Sequence, residues 1–333
     1  MRSFRRFSAV VLLFLGGFFV PAPASAAVAC EDLRVPVSLL GLPQTMYGKL
    51  CAPPGAKTVQ VLIPGGTYNS SYWDIAYAPE TRSYRKAMND AGIATLAVDR
   101  LGTGRSSKPL SALVTATAQA DAVHQVIKTV RPRFDRVIVG GHSIGSAMAM
   151  IEAGLYHDVD GVLVTDMTHR MNFITVLPVL ANMIPAPLDP KLGSRGLDVG
   201  YLTTRPGTRY EAFHKPGPLV PGAIEADEST KDVFAATEAV DTLALTNVVI
   251  PFTQRIDVPV LTVVGAGDTH FCGQPLGSDC TSSAALRASE APFFSDAARL
   301  EAYVLRDYGH SINYAPNAHD YEQVVTQWTR ALG

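Results

Sequence analysis

Arg136-Val137-Ile138-Val139-Gly140-Gly141-His142-Ser143-Ile144-Gly145-Ser146-Ala147-Met148-Ala149 is the stretch on which the reading of this chain turns. Its first four residues have the apolar, β-branched character of a buried strand. Gly141-His142-Ser143-Ile144-Gly145 then has the form G-x-S-x-G, and the residues after it read as a helix of small side chains. A serine between a strand and a helix sits on a sharp, strained turn. Side chains two positions away on either side would collide with the neighbouring strand and helix, so glycine is required there. Small residues at 146, 147 and 149 let the helix pack close. In this context Ser143 is a candidate nucleophile.

A serine hydroxyl is a poor nucleophile at neutral pH and needs a base, itself oriented by a carboxylate. Of the eight histidines, His310 in Tyr308-Gly309-His310-Ser311-Ile312 follows a strand near the C-terminal end, from which a loop can reach Ser143. His142 points away on the turn and is read as structural, whereas His169, His214 and His270 are candidates to line a pocket. For the acid, Asp268 in Gly265-Ala266-Gly267-Asp268 follows the strand Val258–Val264, and Asp166, at the end of the strand after the nucleophile helix, is the rival. A developing oxyanion needs two backbone N–H donors. One is expected at Ile144, at a helix N-terminus, and the second in Pro64-Gly65-Gly66-Thr67, at Gly66 or Thr67.

Outward from this centre, short β-rich runs alternate with helix-like segments, the pattern of a mostly parallel sheet covered on both faces. Val59–Ile63, Ile93–Val98, Gly161–Thr165, Val258–Val264 and Ala302–Leu305 read as strands. Residues 80–91, 116–130 and 321–332 read as helices. Between Asp166 and Asp257 the rhythm breaks for roughly ninety residues, too long for a plain connection. The expected division is a core of 27–166 and 258–333 interrupted by an inserted, largely helical cap over 167–257, with helical pieces at Phe173–Met183 and Lys231–Ala244.

The N-terminus has three zones: basic (Arg2, Arg5, Arg6), apolar from Ala9 to Val20, and small through Ala26. This is read as a secretory signal peptide, residues 1–26. Its apolar run of 12 residues is short for a membrane span, which needs about 20, so stable membrane insertion after cleavage is not expected. Cleavage would remove three arginines and no acid, taking the formal charge from −2 to −5. No Lys/Arg run follows the leader, which argues against nucleic acid as partner. In an exported chain the four cysteines favour disulfides. Cys30–Cys51 and Cys272–Cys280 close loops without crossing the core, and the second would brace the loop carrying Asp268. The alternative is a lipidated Cys30.

Together these residues resemble the α/β-hydrolase superfamily, particularly its cap-bearing esterases, lipases and peptidases. The resemblance runs from about Val59 to Leu332 and implies an eight-stranded, mainly parallel sheet with the order Ser, Asp, His along the chain. Asp99-Arg100-Leu101-Gly102-Thr103-Gly104-Arg105-Ser106 is similar to the D-x-R-G-x-G-x-S loop of that superfamily, with its arginine one place early. Pro64-Gly65 stands where many members have His-Gly.

The expected activity is hydrolysis of a carboxylic ester or lactone of moderate size through an acyl-Ser143 intermediate. The apolar positions Ile174, Val176, Leu177, Val179, Leu180, Met183 and Ile184 would suit a hydrophobic substrate. A proline-releasing aminopeptidase is the alternative, with Glu225, Asp227 and Glu228 as candidates to hold the substrate amine. A non-catalytic binding protein of the same fold would not need Ser143, Asp268 and His310 together. Serine at 143 argues against epoxide and haloalkane hydrolases, which attack with a carboxylate. The histidines and cysteines do not fall at zinc-ligand spacings and no phosphate loop occurs, so neither metal nor organic cofactor is expected.

Overall fold

The computed structural model describes residues 28–245 and 252–332; the expected leader lies outside the described residues. Strands β1 (Ala29–Leu39), β2 (Leu42–Ala52), β3 (Thr58–Ile63), β4 (Ala94–Val98), β5 (Arg136–His142), β6 (Gly161–Thr165), β7 (Met183–Pro185), β8 (Tyr201–Thr204), β9 (Phe234–Ala235), β10 (Val260–Gly265) and β11 (Glu301–Leu305) form two sheets. The larger has eight strands in the order β1-β2-β4-β3-β5-β6-β10-β11. β1 and β2 pair antiparallel with each other, as do β2 and β4. Every pair from β4 to β11 is parallel. Every residue of β3, β4, β6 and β10 is buried, because helices cover both faces and leave no solvent side on which a strand could alternate.

The helices are α1 (Pro79–Arg82), α2 (Tyr84–Asp90), α3 (Ala116–Val130), α4 (Ile144–Tyr156), α5 (Phe173–Leu180), α6 (Pro221–Thr230), α7 (Ala236–Leu245), α8 (Ser283–Glu290) and α9 (Ala318–Ala331). α3 turns Val123, Val126, Ile127 and Val130 inward, and α4 is buried from Gly145 to Gly154. The helix expected over 80–91 is broken at Ser83, whose extended backbone and hydroxyl cap α2 by accepting the Lys86 N–H. The sequence reading passed over the β1–β2 hairpin. β1 alternates between outward and buried positions from Arg34 to Leu39, and the hairpin's tight turn rests on Leu40 and Gly41, both at positive φ, the backbone that two-residue hairpin turns require.

Between β6 and β10 lie α5, the short antiparallel sheet β7-β8-β9, α6 and α7. Three strands of two to four residues leave no periodic signal in sequence. The helix expected from Lys231 starts only at Ala236. The Lys231 ammonium is buried against Asp189 Oδ2 (2.8 Å) and donates to Thr204 O, and Phe234–Ala235 pair with β8 instead. Cys30 joins Cys51 across the β1–β2 ladder, and Cys272 joins Cys280, with sulfurs 2.03 and 2.00 Å apart. Among the described residues, no helix is long and apolar enough to cross a membrane.

Candidate active site

β5 delivers the chain to Ser143, and α4 takes it away. Ser143 has φ 53° and ψ −125°, a region that side-chain-bearing residues occupy only under constraint. Its N–H donates to Thr165 O at 2.9 Å. The Ser146 hydroxyl donates to Gly141 O at 2.7 Å and accepts the Thr165 N–H at 3.0 Å, pinning both limbs of the turn. A Cβ on Gly141 would stand 2.1 Å from Gly145 O, and one on Gly145 would stand 2.4 Å from Ile63 O. The two glycines flanking the serine are therefore dictated by backbone contact.

His310 arrives on the loop after β11, and Asp268 on the loop after β10. His310 Nδ1 lies 2.9 Å from Asp268 Oδ2. Since a carboxylate only accepts, the proton sits on Nδ1 and Nε2 is left as the basic nitrogen. Asp268 Oδ1 accepts the His270 N–H at 2.8 Å. Burial opposes the charge on Asp268, but the adjoining His310 and His270 prevail and hold its carboxyl well below the usual range. Asp166 lies beneath, accepting the Gly265 N–H at 2.9 Å. Burial, and then the charge on Asp268, push its carboxyl well above the ordinary value, so of two neighbouring carboxyls one ionises and the other stays neutral. His142, stacked on Tyr72 at 4.2 Å, is lowered by burial and then by His310.

The loop after β3 supplies Gly66 and Thr67, which line one cavity with Ser143, Ile144 and His310. Thr67 holds φ 64° and is braced from the segment between β6 and β10. Arg209, fully buried, donates to Thr67 Oγ1 at 3.0 Å and meets Asp227 Oδ1 at 2.8 Å. Its guanidinium lies 4.4 Å from the centre of the Tyr68 ring and 4.9 Å from that of Phe213. Asp227 Oδ2 accepts from His214 Nε2, and His214 Nδ1 faces the Tyr308 hydroxyl, both at 2.7 Å. Tyr68 and Ser311 share a hydrogen bond of 2.7 Å. One buried network thus ties the loop after β3 to the loop bearing His310.

The cavity measures about 110 Å³, where one water needs about 10–15 Å³, so it admits a small organic group. Away from Ser143 its wall is apolar, built from Met171, Val176, Val179, Met183, Phe213 and Phe234 among others. The arrangement brings together a serine hydroxyl on a strained turn and an imidazole oriented by a carboxylate, with Gly66, Thr67 and Ile144 lining the same cavity. The alpha/beta hydrolase family model matches residues 60–326.

The chain belongs to the alpha/beta hydrolase family.

No curated protein matches this alpha/beta hydrolase in sequence. Its fold is shared by solved structures of low identity. A thermophilic esterase from Thermogutta terrifontis is 15% identical, with a TM-score of 0.57 and 91% of this chain and 99% of that one covered. E-2-(acetamidomethylene)succinate hydrolase is 20% identical with a TM-score of 0.59, covering 90% and 100%. The monoacylglycerol lipase of Paleococcus ferrophilus is 17% identical with a TM-score of 0.53, covering 86% and 99%.

Of the other residues singled out in the sequence of this alpha/beta hydrolase, His270 lines the cavity and stacks on His310 at 3.9 Å. Its pKa is lowered to about 4, by burial and then by His310. His169 and His214 do not join it. His169 Nδ1 is held by Glu290 Oε2 at 2.7 Å, and both nitrogens of His214 serve the Arg209 network. The proposed amine-binding acids are directed elsewhere: Asp227 to Arg209 and His214, Glu228 to Lys231 at 2.7 Å, and Glu225 to solvent. Val176, Val179, Leu180 and Met183 line the cavity, whereas Ile174 and Leu177 face outward. Asp268, His270 and His310 have metal-type ligand atoms close together, but Asp268 and His310 already bond each other. Sequence reasoning missed Arg209, for which a lone arginine in an irregular stretch carries no signal.

Proposed function

We propose that the protein is a secreted serine hydrolase that cleaves a carboxylic ester or lactone. In this reading 167–257 is a cap whose apolar wall receives the acyl or ring part of the substrate. The observation that carries the proposal is the convergence on one cavity of Ser143 at positive φ and His310 bonded to Asp268.

His310 Nε2 takes the Ser143 proton as Oγ bonds to the substrate carbonyl carbon, and Asp268 stabilises the imidazolium that results. The N–H of Ile144, with one from Gly66 or Thr67, receives the oxyanion. Collapse breaks the carbon–oxygen bond to the leaving alcohol, which takes the proton from His310. Water then attacks the acyl-enzyme with His310 as base, releasing the acid and restoring Ser143. Among the cavity-lining residues no carboxylate is available to hold a substrate ammonium, which favours an ester over a peptide with a free amine.

The test is release of p-nitrophenol from short-chain esters, with proline p-nitroanilide in parallel, by the mature protein and Ser143→Ala. Ester turnover that disappears in the variant is expected. Turnover of the anilide alone would replace this reading with a peptidase. If both assays are silent and fluorophosphonate fails to label Ser143, a binding protein of the same fold replaces it.

A further inference from the structure

Helix α4 has the Ser143 turn at one end and, about 13 Å further along its axis, a second concentration of chemistry. Glu152 has no exposed side-chain surface, and neither of its carboxylate oxygens accepts a hydrogen bond from the protein. His124 Nδ1, from α3, stands 3.5 Å from Glu152 Oε1 and 3.0 Å from Asp158 Oδ2, on the loop that leads into β6. His124 Nδ1 and Asp158 Oδ1 are likewise buried atoms without a hydrogen-bond partner.

We propose that His124, Glu152 and Asp158 form a binding site for one zinc-class divalent cation, separate from the hydrolytic cavity. The ligand atoms all lie within 4.8 Å of one another. Bonds of 2.0–2.2 Å to a tetrahedral centre place ligands about 3.3–3.6 Å apart, so the pair at 3.5 Å already fits and Asp158 has the freedom to adjust. One imidazole and two carboxylates suit zinc, whereas calcium takes six to eight oxygens and magnesium an octahedral shell. The charges close as well: a dication with two carboxylates and a neutral imidazole is neutral overall.

A buried carboxylate with no compensating partner is costly. Burial, and then a hydrogen bond and the charge from the neighbouring Asp158, push the Glu152 carboxyl up to about 9, so a binding cation has to displace a proton from Glu152. The imidazole is oriented from outside the cluster. The Tyr156 ring stacks on His124 at 3.7 Å and donates its hydroxyl to Asp121 Oδ1 at 2.7 Å, which limits how far the imidazole can turn. Asp158 keeps 27% and His124 17% of side-chain surface exposed, which provides an entry path and a water for the fourth position. A bound cation would staple α3, α4 and the loop into β6. The ligands come from three separate elements, so no local spacing in the sequence announces them.

The test is calorimetric titration of the chelator-treated mature protein with zinc chloride, beside Glu152→Gln and His124→Asn. The expected result is one equivalent per chain and a Tm raised by about 4 °C at a hundredfold excess over Kd, both lost in the two variants. Cobalt(II) bound to the unaltered protein is a readout independent of variant folding: four-coordinate visible bands support the site and six-coordinate bands overturn it. Absence of zinc binding to the unaltered protein overturns the proposal. Binding retained in both variants also overturns it, placing the ion elsewhere, such as on Asp268, His270 and His310.

Discussion

Arg209 Nη1 donates to Thr67 Oγ1 at 3.0 Å, so a fully buried cation from the segment between β6 and β10 holds the loop after β3, at a residue with φ 64°. Gly66 and Thr67 of this loop line the cavity beside Ser143. Replacing Arg209 by Met leaves Asp227 buried without its guanidinium, and stability should fall by about 3–5 kcal/mol, measured as a urea midpoint. Arg209→Lys keeps the charge but not the fork. It should fold, with kcat for ester hydrolysis reduced about tenfold or more and KM little changed. An unchanged kcat would show that the brace has no catalytic role.

Asp268 and Asp166 make opposite predictions. Asp268→Asn removes the ionised partner of His310, and kcat should fall by about 10⁴. Asp166 is already held neutral by burial and by Asp268, so Asp166→Asn should cost less than about tenfold. Steady-state kinetics on the two variants decide between them, and a reversed order would make Asp166 the orienting acid.

Glu322 on α9 is buried, and burial pushes its carboxyl up from 4.5 to about 7. A folded pKa above the unfolded one means that the native state binds the proton more tightly. The associated stability is fully present below pH 4.5 and is lost as pH rises through 7. Glu322→Gln has no proton to lose. Its Tm should draw ahead of the parent's between pH 4.5 and 7, by the equivalent of about 3 kcal/mol above that window, and match it at pH 4. Parallel Tm curves would rule this out.

Leu180 lines the cavity from a half-exposed position at its rim. Leu180→Trp should lower kcat/KM for hexanoyl esters about tenfold more than for acetyl esters, since each methylene excluded from an apolar pocket is worth about 1–3 kcal/mol. Equal losses on both chain lengths would mean that the acyl group binds elsewhere.

Expression of the whole sequence in an exporting host should yield a mature protein that begins at Ala27, read by N-terminal sequencing. A product that retains Met1 would remove the leader from the reading.

What the sequence determined on its own was local or periodic. The turn at Ser143 is legible because Gly141 and Gly145 answer to backbone contacts within a few residues and at the adjacent strand. The central strands are legible because burial on both faces demands unbroken apolar runs, and α3 because one of its faces is packed. His310 and Asp268 were legible by position, since each follows a strand of the parallel sheet. The tertiary structure alone decided which carboxylate meets His310, because Asp268 and Asp166 both end neighbouring strands and differ only in where their loops turn. It also decided that Arg209, His214 and Asp227 brace the loops around the cavity, and that His124, Glu152 and Asp158 meet. Long-range polar contacts of this kind depend on how whole elements pack against one another. Sequence periodicity reports which face of an element is buried, and is silent on which partner it meets there.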